Sequence, residues 1–519
     1  MLPRTGTTPD RRSWIALLAL LVVALITRSI RLGQPIVENY VGRQVPTAMV
    51  ARNLERGSGF LNPQIDVAPL PNRFLVEPPV YAALVVGLRR VAPLGLEPAG
   101  RLVSAVGIMI GAWGLFGLVA RREGADAGLV AVAVFIAFPV TIRYGRAFQP
   151  DAFMLGAILL GLRGWDEFEH GGGFGRLVVG VIATGLGLAL KVIAAGVLVA
   201  LVMTVLRDRK PWKVALAACT LIPAGVWYVY AASLVADGAG SLASADNGAV
   251  WLNVLRAGAL LRVETYRNVG RFLLVRAFTP IGPPLALLGL FAFRRPGDSI
   301  WRVWGGCALL TLAGLAAKLH HEYYWLLVAP VAAVGVARVF TALNDQGRRG
   351  RILCLSVATV FFGLAAVFSV STWQTPAEWR NLETARRGIL RHVRQDALLI
   401  APEALLFAAD RRGCRLEFTA PAARRAAGEW GVSHDVDSAE SLVAFYADHG
   451  ARYFADVCAG ENGPERLALR AWVRDRYNVL MDTSEVFLAE ISAPRDGART
   501  SDGAAHGTGR AVENSREAR

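Results

Sequence analysis

Apolar runs long enough to cross a bilayer recur from Trp14 to Val370. An α-helix needs about 20 such residues to span the hydrocarbon core. A chain of 519 residues would otherwise suggest three or four soluble domains of about 150 residues. The runs exclude that organisation for most of the length, and they exclude disorder except at the end. The composition agrees: 54% of residues are hydrophobic, 19% are charged, and the mean hydropathy is +0.39.

The formal net charge of +15 is what a nucleic-acid-binding protein often carries. In a multispanning protein it has a simpler source, because Arg and Lys collect in cytoplasmic loops and set the orientation. No nucleic-acid partner is therefore expected. The N-terminus, with Arg4, Arg11 and Arg12 before the run Trp14 to Ile26, begins like a signal peptide. The following Thr27-Arg28-Ser29-Ile30-Arg31 offers no small-residue cleavage site, and further spans follow. It reads as an uncleaved first span with a cytoplasmic N-terminus, residues 1–12.

Candidate spans lie near 13–32, 101–120, 126–145, 151–165, 176–190, 192–206, 212–232, 277–293, 302–318, 322–342 and 352–371. Segment 78–96 is also apolar but carries Arg89 and Arg90. Counting it as a span places Arg121-Arg122 and Arg207-Asp208-Arg209-Lys210 outside. Excluding it places both of them, Arg294-Arg295 and Arg348-Arg349-Gly350-Arg351 inside, as the positive-inside rule requires. Segment 78–96 is accordingly expected to be an interfacial or re-entrant helix packed on protein. The fold class that follows is a mostly α membrane protein of about eleven transmembrane helices. Its spanning domain covers 13–372, with a first external loop at 33–100.

Residues 373–495 alternate helical and strand signals and predict a small α/β domain on the exoplasmic side. Ala397–Ala401, Ala451–Cys458, Asn478–Leu480 and Glu485–Ile491 read as strands. Ser438–His449 reads as a helix with Ser438 as N-cap and Gly450 ending it. The tail 496–519 has no apolar period and predicts disorder. Cys219, Cys307 and Cys354 fall in apolar spans, as small core residues. Cys414 and Cys458 form a possible disulfide if their domain is outside the cell membrane. No CxxC or His/Cys cluster suggests a zinc site.

This topology sorts the polar groups onto one face. Charges near a membrane are costly and default to functional hypotheses. Glu38 follows the first span and suits a general base on a sugar hydroxyl, a metal-binding carboxylate, or a solvated cap. Asp151 suits catalysis or the cap of the helix it begins. Glu77 precedes Pro78-Pro79 and suits a substrate contact or the helix dipole. Lysine occurs only at 191, 210, 213 and 318. Lys191, between apolar stretches, suits snorkelling or a phosphate. Lys318-Leu319-His320-His321-Glu322-Tyr323-Tyr324-Trp325 sits between two spans. Its aromatics suit interface anchoring. Its packed His, Lys and Glu do not, and one His on a phosphate or sugar hydroxyl fits better than a metal held by both.

These blocks, in this order, resemble the GT-C integral-membrane glycosyltransferases, above all the bacterial relatives of protein mannosyltransferases and of the lipid A aminoarabinose transferase. The resemblance rests on Gly42-Arg43-Gln44 through Ala51-Arg52-Asn53, Asn62-Pro63-Gln64-Ile65-Asp66, Glu77-Pro78-Pro79, Gly145-Arg146-Ala147-Phe148-Gln149-Pro150-Asp151-Ala152 and His321-Glu322-Tyr323-Tyr324. It covers roughly 13–345. Glu38 stands nearest the family's first-loop aspartate, and Gly42 replaces its tryptophan.

The resemblance implies a GT-C fold with interfacial helices in the first loop, a polyprenyl-phosphate-linked sugar donor, and inversion at the anomeric carbon. It places the protein in a bacterial inner membrane. Direct displacement needs a base for the acceptor proton and positive groups for the leaving phosphate. The implied base, or metal-linked carboxylate, is Glu38, with Asp151 assisting. Arg43, Gln44, Glu77, Arg146, Lys191 and His321 are substrate-binding candidates, and Tyr323 and Tyr324 shape the cavity. A divalent metal ion remains open as a cofactor. The acceptor is a glycan, a glycolipid or a protein. The rival readings are a flippase for lipid-linked sugars, which favours charges at mid-membrane and two symmetric halves, and an inactive membrane scaffold.

Overall fold

The computed structural model describes residues 9–38, 41–238, 240–244, 257–293, 299–319, 321–431, 436–457 and 463–492. The chain divides into two compact units, Met1–Ile65 with Pro71–Pro376, and Asp66–Leu70 with Ala377–Arg519. The expected division at 372/373 thus falls at 376/377, and a piece of the first external loop belongs to the second unit.

In the first unit, four described helices are long and apolar enough to cross a membrane: Arg11–Ser29, Leu96–Glu123, Pro211–Ala236 and Gly347–Trp379. Val263–Ala277 and Gly282–Phe291 add a fifth if that pair, bent by 93°, is one broken span. Other segments expected to span form shorter apolar helices: Ala125–Ala137, Phe174–Leu190, Val192–Val205 and Ala329–Asn344. Helix length by itself therefore supports fewer crossings than the expected eleven or so. Leu96–Glu123 is central, and it lies against Asp151–Glu169 through glycines. A Cβ on Gly107 would stand 2.6 Å from the Phe153 Cα, so only glycine lets these backbones approach.

Segment 78–96 holds the helix Val80–Val91, of 12 residues. At 1.5 Å per residue it is about 18 Å long, well short of a bilayer core. It buries Tyr81, Ala82, Val85 and Val86 and leaves Leu84 and Val91 exposed. The Tyr81 hydroxyl donates to the Gly100 carbonyl at 2.7 Å, tying the helix to the start of the central span.

Loops that the charge count puts on the cytoplasmic side come together. Asp166 accepts from Arg122 at 2.6 Å and pairs with Arg121 at 2.9 Å. Lys213 meets Glu169 at 2.6 Å, and Arg338 meets Glu123 at 2.7 Å. Acids from neighbouring helix ends thus compensate Arg121 and Arg122, two of the cations that fixed the span count, together with Lys213 and Arg338. Without them these cations would repel across one helix-bundle end.

The first loop carries a short antiparallel hairpin, β1 (Gln64–Ile65) and β2 (Asn72–Arg73). The second unit holds a five-stranded sheet of β3 (Leu398–Ala401), β4 (Gly413–Arg415), β5 (Ala451–Val457), β6 (Asn478–Asp482) and β7 (Val486–Glu490), in the order β4-β3-β5-β7-β6. β3 runs parallel to β4 and β5, while β7 runs antiparallel to β5 and β6. The open edge of β4 is covered by the first-loop piece. Val67 bridges Gly413, whose N–H donates to the Asp66 carbonyl at 2.9 Å, and the Ala68 N–H donates back to the Gly413 carbonyl at 2.7 Å. Pairing of this kind satisfies an otherwise bare strand edge.

The helix Ala439–Asp448 is capped by Ser438, whose side chain accepts from the Ser441 N–H in a capping box, and Gly450 follows at φ 95°. Asp456 on β5 is fully buried and accepts from Arg470 at 2.5 Å and from Arg466 at 2.7 Å. Cys414 is buried with a free thiol, which burial pushes up to about 12. Cys458, the other half of the expected pair, lies outside the described residues, as do His320, Arg294, Arg295 and the tail.

Candidate functional site

A cavity of about 150 Å³ opens in the first unit. Arg43, Glu77, Lys191, His321, Tyr323 and Tyr324 all line it. Each was singled out in the sequence, and they come from four separate stretches of chain. The fold therefore brings the first loop, the Leu190/Val192 break and the Lys318–Trp325 connection to one place.

Each residue is held by local structure. Arg43 sits near the start of the helix Val41–Glu55, and its guanidinium pairs with the Glu77 carboxylate and lies 5.1 Å from the Phe74 ring. Lys191 ends the helix Phe174–Leu190 in extended backbone (φ −156°, ψ 110°) before a 3-10 turn. The break turns the ammonium inward, where it meets Asp151 at 2.8 Å and stands 4.3 Å from the Tyr323 ring centre, a cation–π distance. His321 stacks on Tyr323 at 5.5 Å, and Tyr323 meets Tyr324 edge-on at 4.5 Å. Glu322, between them in sequence, points the other way to Arg143 at 2.5 Å and Arg276 at 2.9 Å. Those pairs fix the turn Glu322–Leu327.

Burial raises the Glu77 carboxyl above the ordinary glutamate range, although Arg43 and Lys191 pull it back down. Asp151 is fully buried behind Lys191, and its second oxygen, Oδ2, has no hydrogen-bond partner among the described residues.

Three sequence candidates are placed elsewhere. Glu38 is buried away from the cavity lining: Oε1 accepts from Arg101 at 2.6 Å, and Oε2 accepts from the Val37 N–H at 3.2 Å. Arg101 is itself fully buried and also donates to the carbonyls of Leu32 and Gln34 at 2.8 and 2.5 Å. Gln44 donates to the Glu38 carbonyl at 2.6 Å and accepts from the Phe148 N–H at 2.7 Å. Arg146 donates to the carbonyls of Thr372 and Arg31 at 3.2 and 3.0 Å. Gln44 thus ties the first loop to Phe148, Glu38 ties it to the helix Leu96–Glu123, and Arg146 ties its own stretch to Arg31 and Thr372, so the three act as framework.

An expected result follows from that placement. Glu38→Ala leaves the Arg101 charge buried without its partner, which costs about 3–5 kcal/mol. The thermal unfolding midpoint of the purified protein should drop sharply, while the folded fraction keeps its ability to bind polyprenyl phosphate. An unchanged midpoint would count against the framework role.

The cavity also uses groups that sequence reasoning left out of the site. Lys318 lines it, as do Phe74 and Tyr228. The scarcity of lysine pointed toward Lys318. Nothing pointed to Tyr228, because a tyrosine near a span end reads as an interface anchor. Among the described residues, no group of three or more His, Cys, Asp and Glu side chains is placed to hold a metal ion. Glu38, the carboxylate offered for that role, is engaged with Arg101 and backbone.

Residues 76–230 match the family model described as dolichyl-phosphate-mannose-protein mannosyltransferase. That stretch contains Glu77, Asp151, Lys191 and Tyr228, and stops short of Lys318–Tyr324. No curated protein matches the chain by sequence. Among solved structures, the chain is similar to ArnT from Cupriavidus metallidurans bound to undecaprenyl phosphate: TM-score 0.58, 14% identity, 93% of this chain and 98% of that one. It is similar to the archaeal oligosaccharyltransferase AglB from Archaeoglobus fulgidus, in complex with an inhibitory peptide and a dolichol-phosphate: TM-score 0.53, 13% identity, 92% and 74%. It also resembles the arabinofuranosyltransferase AftD from Mycobacteria: TM-score 0.51, 13% identity, 94% and 40%. Identities this low speak to the fold.

Proposed function

We propose that this chain, which has the GT-C fold and is mannosyltransferase-like over residues 76–230, is a glycosyltransferase. It moves a sugar from a polyprenyl-phosphate donor to an acceptor at the exoplasmic face of the bacterial inner membrane. The observation that carries the reading is the cavity, where Arg43, Lys191, Lys318 and His321 meet Glu77 beside an aromatic wall. The undecaprenyl phosphate bound to ArnT and the dolichol-phosphate bound to AglB support the donor class. The topology that goes with it is about eleven spans, a cytoplasmic N-terminus and an exoplasmic C-terminal unit, as the charge distribution indicates.

The chemistry is a direct displacement. An acceptor hydroxyl attacks the anomeric carbon, and its oxygen–carbon bond forms as the bond from that carbon to the phosphate oxygen breaks. The electron pair leaves on the phosphate, and the configuration inverts. Lys191, Lys318 and His321 neutralise the developing charge. The acceptor proton goes to Glu77, the carboxylate that reaches the cavity directly. Its raised pKa brings its basicity closer to neutral pH, where a general base works best. Asp151 holds the Lys191 ammonium in position. Glu77 thus takes the base role that the sequence reading gave to Glu38, because Glu38 faces Arg101 instead.

The acceptor is a glycan, glycolipid or protein hydroxyl. Mass spectrometry of envelope glycans and glycoproteins from cells with and without the protein tests the reading. One glycan or glycoprotein should lose a sugar residue in its absence. Identical profiles would contradict a transferase role.

A further inference from the structure

The cavity has two walls of different chemistry. One is built from the Leu190/Val192 break and the Lys318–Tyr324 connection, and it presents Lys191, Lys318 and His321, with the Tyr323 and Tyr324 rings packed against Lys191 and His321. No carboxylate from these segments lines the cavity: Asp151 lies behind Lys191 and Glu322 turns to Arg143 and Arg276. The other wall is the first-loop segment 74–77 backed by the helix Ile222–Ala236. There the Arg43 charge is cancelled by Glu77, and the ring surface is supplied by Phe74 and Tyr228.

The second wall is braced. Leu75 packs into a cluster with Trp227 and Ala231, and its N–H donates to the Ser244 hydroxyl at 2.8 Å. The Tyr230 hydroxyl reaches the Leu61 carbonyl at 2.8 Å. Helix Ile222–Ala236 is thereby stitched to the first loop on both sides of Tyr228. The Tyr228 ring packs on that cluster and remains half-buried against the cavity.

We infer that Tyr228 is a sugar-recognition residue, and that the cavity is divided into a cationic phosphate half (Lys191, Lys318, His321) and an aromatic–carboxylate sugar half (Tyr228, Phe74, Glu77). A lone phosphodiester is best met by ammonium and imidazolium groups. A pyranose or furanose ring offers C–H faces to an aromatic ring and hydroxyls to a carboxylate or phenol. Tyr228 supplies both kinds of contact from one position. This inference rests on the proposed transferase function and deepens it, because it assigns which wall reads the sugar.

The test separates sugar from phosphate. Binding of two probes to the purified full-length protein in nanodiscs is measured: decaprenyl phosphate, and decaprenyl phosphate carrying mannose, glucose or arabinofuranose. Tyr228→Phe should weaken the best sugar-linked probe by about threefold to tenfold, the range for one lost hydrogen bond. Tyr228→Leu should weaken it further and change the order of preference among the three sugars. Neither variant should alter decaprenyl phosphate binding by more than about twofold, a span within ordinary context-dependence of single contacts. Lys318→Gln should weaken both probes alike.

Equal weakening of both probes by the Tyr228 variants would reduce Tyr228 to a packing residue and overturn the inference. No change in either probe would overturn it too. If the wild-type protein binds neither probe, the transferase reading itself falls, which is a different failure from a silent Tyr228.

Discussion

Glu77→Gln is expected to lower sugar transfer by about 10²–10⁴-fold, the usual worth of a positioned general base. The amide keeps the size of the side chain and an acceptor for the Arg43 guanidinium, which pairs with Glu77 at present. It removes the negative charge and the basicity. Decaprenyl phosphate should still bind, and more tightly, since the lining then carries Arg43, Lys191 and Lys318 without a lining carboxylate to offset them. Loss of transfer with binding retained identifies a chemical role, whereas loss of both would mean that the variant has disturbed the cavity.

The same assignment fixes a pH dependence. The base works deprotonated, so transfer rises with pH through the Glu77 pKa. Burial raises that pKa, so the acid limb should lie above the ordinary glutamate value of about 4.3. The limb should vanish in Glu77→Gln. A limb that persists there would move the base to another group, with Asp151 the next to try.

Lys191→Gln should remove detectable transfer and also destabilise the fold. Asp151 is fully buried and its Oδ1 has the Lys191 ammonium at 2.8 Å. Removing one partner of a buried pair costs about 3–5 kcal/mol because the other charge is left in a medium that solvates it poorly. The double variant Asp151→Asn/Lys191→Gln should recover most of that stability and none of the phosphate binding. Thermal unfolding of the four proteins in the cycle gives the coupling directly. If the double variant is as unstable as Lys191→Gln, the pair is not what holds this part of the fold.

Loop counting put Arg121 and Arg122 on one side, and in the fold both meet Asp166 from a neighbouring helix. Segment 78–96 was excluded from the spans so that Arg121-Arg122, Arg207-Asp208-Arg209-Lys210, Arg294-Arg295 and Arg348-Arg349-Gly350-Arg351 would fall inside, and its helix of 12 residues is too short to cross. Strand β4 escaped notice, since three residues carry no period-two signal. So did the role of Asp66–Leu70, because pairing with Gly413 is a contact across the whole chain.

The site was legible where chemistry and scarcity coincided. Lys191 stood out as one of four lysines, and His321, Tyr323 and Tyr324 as polar groups between spans. Glu38 misled for a physical reason: an acid after a span looks available until Arg101, 63 residues on, is seen to occupy it. Gln44 and Arg146 misled in the same way. Their motifs look chemical, and their side chains are spent on backbone carbonyls and amides.

The central claim is that this cavity breaks the sugar–phosphate bond of a lipid-linked donor. The direct test places the purified protein in liposomes with a decaprenyl-phosphate-linked sugar and an acceptor extract, and follows free decaprenyl phosphate and the anomeric configuration of the product. The account predicts stoichiometric release of decaprenyl phosphate, transfer with inversion, and loss of both in Glu77→Gln. Donor that stays intact, whether left in place or moved across the bilayer as a flippase would move it, would contradict the account.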